Sequence, residues 1–178
     1  MSKIENSNYY ESADGVYGVK ISDRDMQHIY ELCTESSPYE TGGILLGRYS
    51  DDQKWAEIMA VTGAPAGSRH ALRSFTRSGK GIVSLLKESW KSCQYYLGEW
   101  HYHPNASPRP SGLDLKTMVE LSKNEGLHCP EPVLLIIGGG PSAWHQYVGV
   151  CIKGKVIELD SSIEGTLKQN EKLQKSEN

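Results

Sequence analysis

Two histidines one residue apart, His101 and His103, precede a proline-rich turn and then Ser111 and Asp114. On a strand, side chains two apart share a face, so both imidazoles can address one centre. Pro104, Pro108 and Pro110 end that strand and turn the chain back. Ser111 then reads as a helix N-cap, which puts Asp114 in the first helical turn, where exposed amides and the helix dipole favour a carboxylate. Two imidazoles and one carboxylate make three zinc ligands and leave the fourth tetrahedral position to water, the layout of a catalytic rather than a structural centre. Zinc lowers the pKa of a bound water to about 7, but hydrolysis also needs a group that takes and returns a proton. Glu40, at the mouth of the glycine-bearing stretch ETGGILLG (Glu40 to Gly47), is the candidate.

The elements that must position these groups follow from periodicity. Tyr17, Val19 and Ile21 alternate in a short half-buried strand over Gly15 to Ile21. Ser22 opens a helix, with Asp25 as the weaker partner of a capping box and Met26, Ile29, Tyr30 and Cys33 as its apolar stripe. Pro38 ends that helix. Glu40 to Tyr49 predicts a strand whose glycines admit a close backbone or a bulge, and Lys54 to Thr62 its antiparallel partner. A loop over 64–69, a short strand over Leu72 to Thr76 and a helix within Gly79 to Cys93 come next. Tyr95 to His103 predicts a strand, and Ser111 starts a helix that runs through Lys123. Three last strands, Pro132 to Ile137, Ala143 to Ile152 and Lys155 to Leu159, are parted by the GGGP at 138–141 and by Gly154. The expected fold class is α/β (α+β), a mixed, mainly antiparallel curved sheet flanked by helices. One domain is expected over 15–160, after a flexible N-terminal segment over 1–14 and before a tail over 161–178 that reads as a frayed helix on Ile163, Leu167 and Leu173.

Each singled-out residue also has a plainer use. His101 and His103 would serve as core histidines bonded to backbone. Asp114 would answer the helix dipole, and Glu40 would be a solvated glutamate. Ser111 would be a helix cap and nothing more. Glu99 shares the histidines' face and is either a partner that orients an imidazole or an exposed edge residue. Trp100 and Tyr102 face the other side as core; His70, His128 and His145 have no ligand-like company and read as structural or surface.

Composition narrows the functional classes. The chain has 178 residues, with 19 basic and 22 acidic side chains for a formal charge of −3, so bulk electrostatics draws it to neither nucleic acid nor an anionic membrane. The longest apolar run, Val133 to Ile137, is far short of the roughly 20 residues a bilayer requires. The first residues, MSKIENSNYYESADG, lack the apolar segment of a signal peptide, and the four cysteines follow no ligand spacing. A cytoplasmic protein with reduced thiols is expected; the oligomeric state is left open.

ETGGILLG and HYHPNASPRPSGLD (His101 to Asp114) resemble the JAMM/JAB (Mov34/MPN) metalloprotease domain, whose signature is a strand glutamate upstream of His-x-His, seven residues, Ser, two residues and Asp. The resemblance in order of elements spans roughly Gly15 to Leu159, and the signature is complete. It implies that His101, His103 and Asp114 bind one Zn2+ per chain, that Glu40 is the general base and acid, and that Ser111 hydrogen-bonds the oxyanion. GEWHYHP with SPRPS looks most like bacterial members of anti-phage (CBASS-type) operons, which remove ubiquitin-like C-terminal linkages from a cyclic-nucleotide synthase or a similar target. The implied partner is a ubiquitin-like protein or the tail of a conjugated protein, aligned as an added strand, with Arg69, Arg73 and Arg77 near it. Processing of sulfur-carrier precursors and a non-catalytic scaffold remain alternatives; the DNA-repair branch of the fold calls for more length and basic charge.

Overall fold

The computed structural model describes residues 6–162, so the expected tail helix on Ile163, Leu167 and Leu173 lies outside the described residues. In chain order the elements are β1 (Ser7–Glu11), β2 (Gly18–Ser22), α1 (Asp23–Ser36), β3 (Thr41–Tyr49), β4 (Trp55–Val61), β5 (Arg69–Ala71) and β6 (Ser74–Thr76). There follow α2 (Ile82–Lys91), β7 (Tyr95–Pro104), α3 (Gly112–Ser122), a 3-10 turn (Glu125–Leu127), β8 (Val133–Gly140), β9 (Ala143–Ile152) and β10 (Lys155–Ser161).

Eight strands pair in the order β1-β10-β9-β8-β7-β3-β4-β2, and β2 pairs back with β1. The curved sheet thus closes into a barrel. Only β7–β8 and β2–β4 are parallel, and each of these needs a crossover, supplied by the α3 segment and by α1 with β3. The mixed, mainly antiparallel expectation holds. Closure depends on β1, which lies inside the 1–14 segment expected to be flexible. Its register, Tyr10 opposite Val19 on one side and Ser161 on the other, buries the Tyr10 ring in the core. Five polar-looking residues gave no strand signal because the strand is held by partners on both sides rather than by its own apolar pattern.

Two further differences matter for the site. The single strand expected at Leu72 to Thr76 is a hairpin of β5 and β6 that forms its own two-stranded sheet. The glycines at 138–140 do not end a strand; β8 runs through them. Among the described residues no helix is long and apolar enough to cross a membrane.

The apolar side chains sort onto the two sheet faces. Val19, Ile21, Leu45, Ile58, Trp100, Tyr102, Leu135, Ile137 and Val148 fill the main cluster together with Met26, Ile29 and Cys33 of α1. On the opposite face, α2 packs Leu86 on Ile44, Leu46 and Tyr96, and α3 packs Met118 on Leu134 and Ile136. His101, Glu99 and His103 belong to this second face, between the footprints of α2 and α3.

Candidate metal centre

β3 and β7 run antiparallel with Thr41 opposite Tyr102, Gly42 opposite His101 and Ile44 opposite Glu99. Directly opposed residues share a face. Continuing the register by one pair puts Glu40, the residue before β3, across from His103. The strand pairing that sequence alone does not supply is therefore present: Glu40 and the two histidines lie on adjacent strands and one face. Gly42 is what lets them crowd. A Cβ there would meet the Trp100 carbonyl oxygen at 2.4 Å, the Phe75 ring at 2.9 Å and His101 Cδ2 at 3.0 Å.

The proline-rich turn folds down over the end of β8. A Cβ on Gly138 would lie 2.4 Å from the Ala106 carbonyl oxygen, so a bare backbone there lets the turn rest on the sheet. From that support α3 starts with Ser111 as N-cap. Ser111 Oγ accepts from the Asp114 N–H at 3.2 Å, and the Ser111 N–H donates to Asp114 Oδ2 at 2.6 Å, a reciprocal capping box. The box fixes Asp114, whose other oxygen, Oδ1, lies 3.0 Å from His101 Nδ1. His103 Nδ1 sits 3.4 Å from the Ser107 carbonyl oxygen.

The electrostatics tie these groups together. Burial works against the His101 imidazolium, yet the hydrogen bond to Asp114 and the charges of the Asp114 and Glu99 carboxylates lift its pKa to about 9. Burial would raise Asp114, but hydrogen bonds from His101 and Ser111 and the His101 charge pull it down to about 2. Burial raises Glu40 above the ordinary glutamate range, opposed by His103 and His101 and reinforced by Asp114. Glu99 is held below the usual range: His101 and Arg77 outweigh a large burial penalty.

Of the five residues singled out in the sequence, the fold brings His101 and Asp114 into contact, joins Ser111 to Asp114, and sets Glu40 and His103 on the same face. Among the described residues no three His, Cys, Asp or Glu side chains already stand as a grip for one ion. The donor chemistry nevertheless suits a divalent cation. The carboxylates of Glu40, Glu99 and Asp114 outnumber the neighbouring Arg77 guanidinium, a surplus of negative charge that favours an added cation. Imidazole nitrogens beside carboxylate oxygens are what zinc and its neighbours prefer.

The contacts of several residues around the centre had no local signal in the sequence. The β5–β6 hairpin lies against Glu40: Glu40 N–H donates to the Ala71 carbonyl at 2.8 Å, and His70 Nδ1 is 3.0 Å from the Glu40 carbonyl oxygen. Phe75 of the same hairpin meets both His70 and His101, with ring centroids 5.2 and 6.0 Å away. Arg77, expected to face a substrate tail, instead pairs inward with Glu99 at 2.6 Å. Glu99 is no exposed edge residue; its side chain is 4% exposed.

Residues 22–148 match the Prok-JAB family, described as prokaryotic homologs of the JAB domain. A protein of Enterobacter hormaechei subsp. hoffmannii named CD-NTase/cGAS isopeptidase is 39% identical over 133 residues, 75% of this chain and 74% of its own length. A probable metalloprotease, y4qB, of Sinorhizobium fredii is 30% identical over 119 residues, 62% of this chain and 70% of that protein. In structure, the chain resembles the solution structure of protein DSY2949 from Desulfitobacterium hafniense, with a TM-score of 0.60 at 21% identity over 78% of this chain and 87% of the other. With a glutamate strand, a His-x-His strand and an Asp-bearing helix start on one face, and a family match over most of the barrel, this chain belongs to the prokaryotic JAB-domain family.

Proposed function

We propose that this chain is a zinc-dependent isopeptidase that cuts the amide bond between a protein's C-terminal tail and the group to which it has been conjugated. The observation that carries the reading is the joining of His101 to Asp114 at 3.0 Å on the sheet face that Glu40 and His103 share, in a family whose members include proteins named isopeptidase and metalloprotease. His101, His103 and Asp114 would hold the ion. Such an ion supplies Lewis acidity, polarising a carbonyl and making water acidic enough to ionise near neutral pH.

The chain's own residues do the rest. Glu40 takes a proton from the attacking water and passes it to the amine as the C–N bond breaks, leaving a free amine and a carboxylate tail. Its burial-raised proton affinity suits that two-way role. The capping box uses a lone pair of the Ser111 hydroxyl, so the same group keeps a proton to donate to the developing oxyanion. The two roles need not compete. Because the barrel closes on itself, the free strand edges near the centre belong to the β5–β6 hairpin, where an extended tail would be aligned by main-chain hydrogen bonds. By likeness to the relatives named CD-NTase/cGAS isopeptidase, the substrate is a conjugated nucleotidyltransferase of the antiviral type, and the tail that of a ubiquitin-like protein or of the enzyme itself.

The test joins metal content to cleavage. Purified protein should carry about one zinc per chain and release the free amine from an amide-linked conjugate of the nucleotidyltransferase tail. Glu40→Gln should keep the zinc and the fold and lose on the order of 10²–10⁴ in rate. A metal-free wild type, or a Glu40→Gln protein of unchanged rate, overturns the proposal.

A further inference from the structure

We infer that Arg77 and Glu99 are positioning residues: a buried ion pair that fixes the His101 ring and ties it to the hairpin that grips Glu40. The inference rests on the metal-centre reading above. Its starting point is a carboxylate in an expensive place. Glu99 sits in the middle of β7 with its side chain 4% exposed, and a charge so buried persists only when paired. Arg77 Nη2 lies 2.6 Å from Glu99 Oε1, and the Tyr96 hydroxyl donates to the same oxygen at 3.2 Å. The other oxygen, Oε2, is 3.8 Å from His101 Nε2. One oxygen is thus anchored and the other is presented to the imidazole edge remote from Asp114.

A pair kept only for stability has a cheaper substitute, since well-packed apolar side chains often match or exceed a buried ion pair. Here the pair also leaves Arg77 Nε buried without a hydrogen-bond partner among the described residues. What the pair adds is linkage. Arg77 follows β6 directly. The same hairpin holds both backbone groups of Glu40 through Ala71 and His70, and Phe75 packs its edge on His101. Ser68 Oγ accepts from the Ser78 N–H at 3.0 Å and ties the hairpin's two ends together. The proton-carrying strand and the histidine strand are therefore clamped by one short segment, with Arg77 and Glu99 as its fastening. Carboxylates that hold the far edge of a ligating imidazole set its tautomer and orientation, and their loss commonly weakens metal binding by about 10–100-fold.

Cobalt(II) titration of the whole chain, read by its visible absorption, tests this apart from activity. Glu99→Gln and Arg77→Met should each weaken cobalt binding by about 10–100-fold and alter the absorption bands. The decisive protein is the double variant Arg77→Met/Glu99→Gln, which removes both buried charges while the new amide oxygen remains an acceptor for Tyr96. It should melt near the wild type and still bind cobalt as weakly as the worse single variant. A double variant that recovers wild-type cobalt affinity overturns the inference, because the pair then serves folding alone. If the double variant does not melt cooperatively, Glu99→Gln alone decides: an unchanged cobalt affinity and spectrum overturns the inference. Loss of cobalt in His101→Ala with full binding in the Glu99 and Arg77 variants sinks this inference and leaves the metal centre standing. A wild type that binds no cobalt sinks both.

Discussion

Two serines begin helices in this chain with the same Ser-x-x-Asp spacing, and they separate capping from chemistry. Ser22 Oγ accepts from the Asp25 N–H at 3.0 Å and donates to Asp25 Oδ2 at 2.8 Å, a local arrangement at the start of α1. Ser111 makes the equivalent cap on α3, but its backbone N–H takes one oxygen of the aspartate, and the other goes to His101. Replacing either cap by alanine should cost about 1 kcal/mol of stability. Only Ser111→Ala should also lower cleavage, by on the order of 10²-fold, if its hydroxyl donates to the oxyanion. Denaturant melts beside rate measurements of Ser22→Ala and Ser111→Ala check this; equal rates in the two variants would remove Ser111 from the chemistry. At this scale much was legible. The types and spacing of His101, His103, Ser111 and Asp114 are local, and so is the cap. Glu99 was legible in part: alternation put it on the histidines' face, but its partner Arg77 lies on a segment that no periodicity connects to β7.

At the scale of elements, the pairing of β3 with β7 is what turns a motif into a centre, and Gly42 sits at its tightest point. Gly42→Ala would push a methyl against the backbone oxygen of Trp100, which cannot rotate away. A loss of about 1–3 kcal/mol is expected, with a fall in activity because His101 and Phe75 must move too; chemical denaturation and the cleavage rate measure the two effects. β7 also shows where alternation misleads. His101, His103 and Glu99 share one face and Trp100 and Tyr102 the other, as the period of two predicts. A bulge at Gly98, where the register against β3 shifts, reverses the phase, so that Tyr96 joins Glu99 on the site's face. A bulge is set by the partner strand, so one strand's sequence does not announce it.

The other side of β3 carries an ion network that gives a clean pH prediction. Glu57 of β4 meets Lys20 of β2 and Arg48 of β3 at 2.8 Å each. Burial would raise its pKa, but hydrogen bonds and charges from Lys20 and Arg48 win and hold it below 4.5. A carboxyl depressed on folding stabilises above its unfolded pKa, and that contribution fades as pH falls through the folded value. Glu57→Gln should therefore cost roughly 0.2–1 kcal/mol at neutral pH, and the gap from wild type should close as the pH drops below about 4.5. Thermal melts of both proteins between pH 3 and 7 give the comparison. A gap that widens in acid would contradict the assignment.

For the molecule as a whole, stability rests on closing the barrel, and closing it rests on β1. Tyr10 is the apolar anchor of that strand, 8% exposed in the main cluster between β2 and β10. Tyr10→Ala should cost about 3 kcal/mol and lower the single melting transition of the entire domain, as core truncations do. A variant that melts like the wild type would return Ser7–Glu11 to the status of a loose segment. Local information determined the candidate ligand residues, the start of α1 and α3, and most strands, because caps, prolines and alternation act over a few residues. Tertiary structure alone decided the closure by β1, the phase reversal at Gly98, the docking of the β5–β6 hairpin on Glu40 and the burial of Arg77 against Glu99. Those depend on contacts between residues far apart in the chain, and a pattern confined to neighbours carries no record of them.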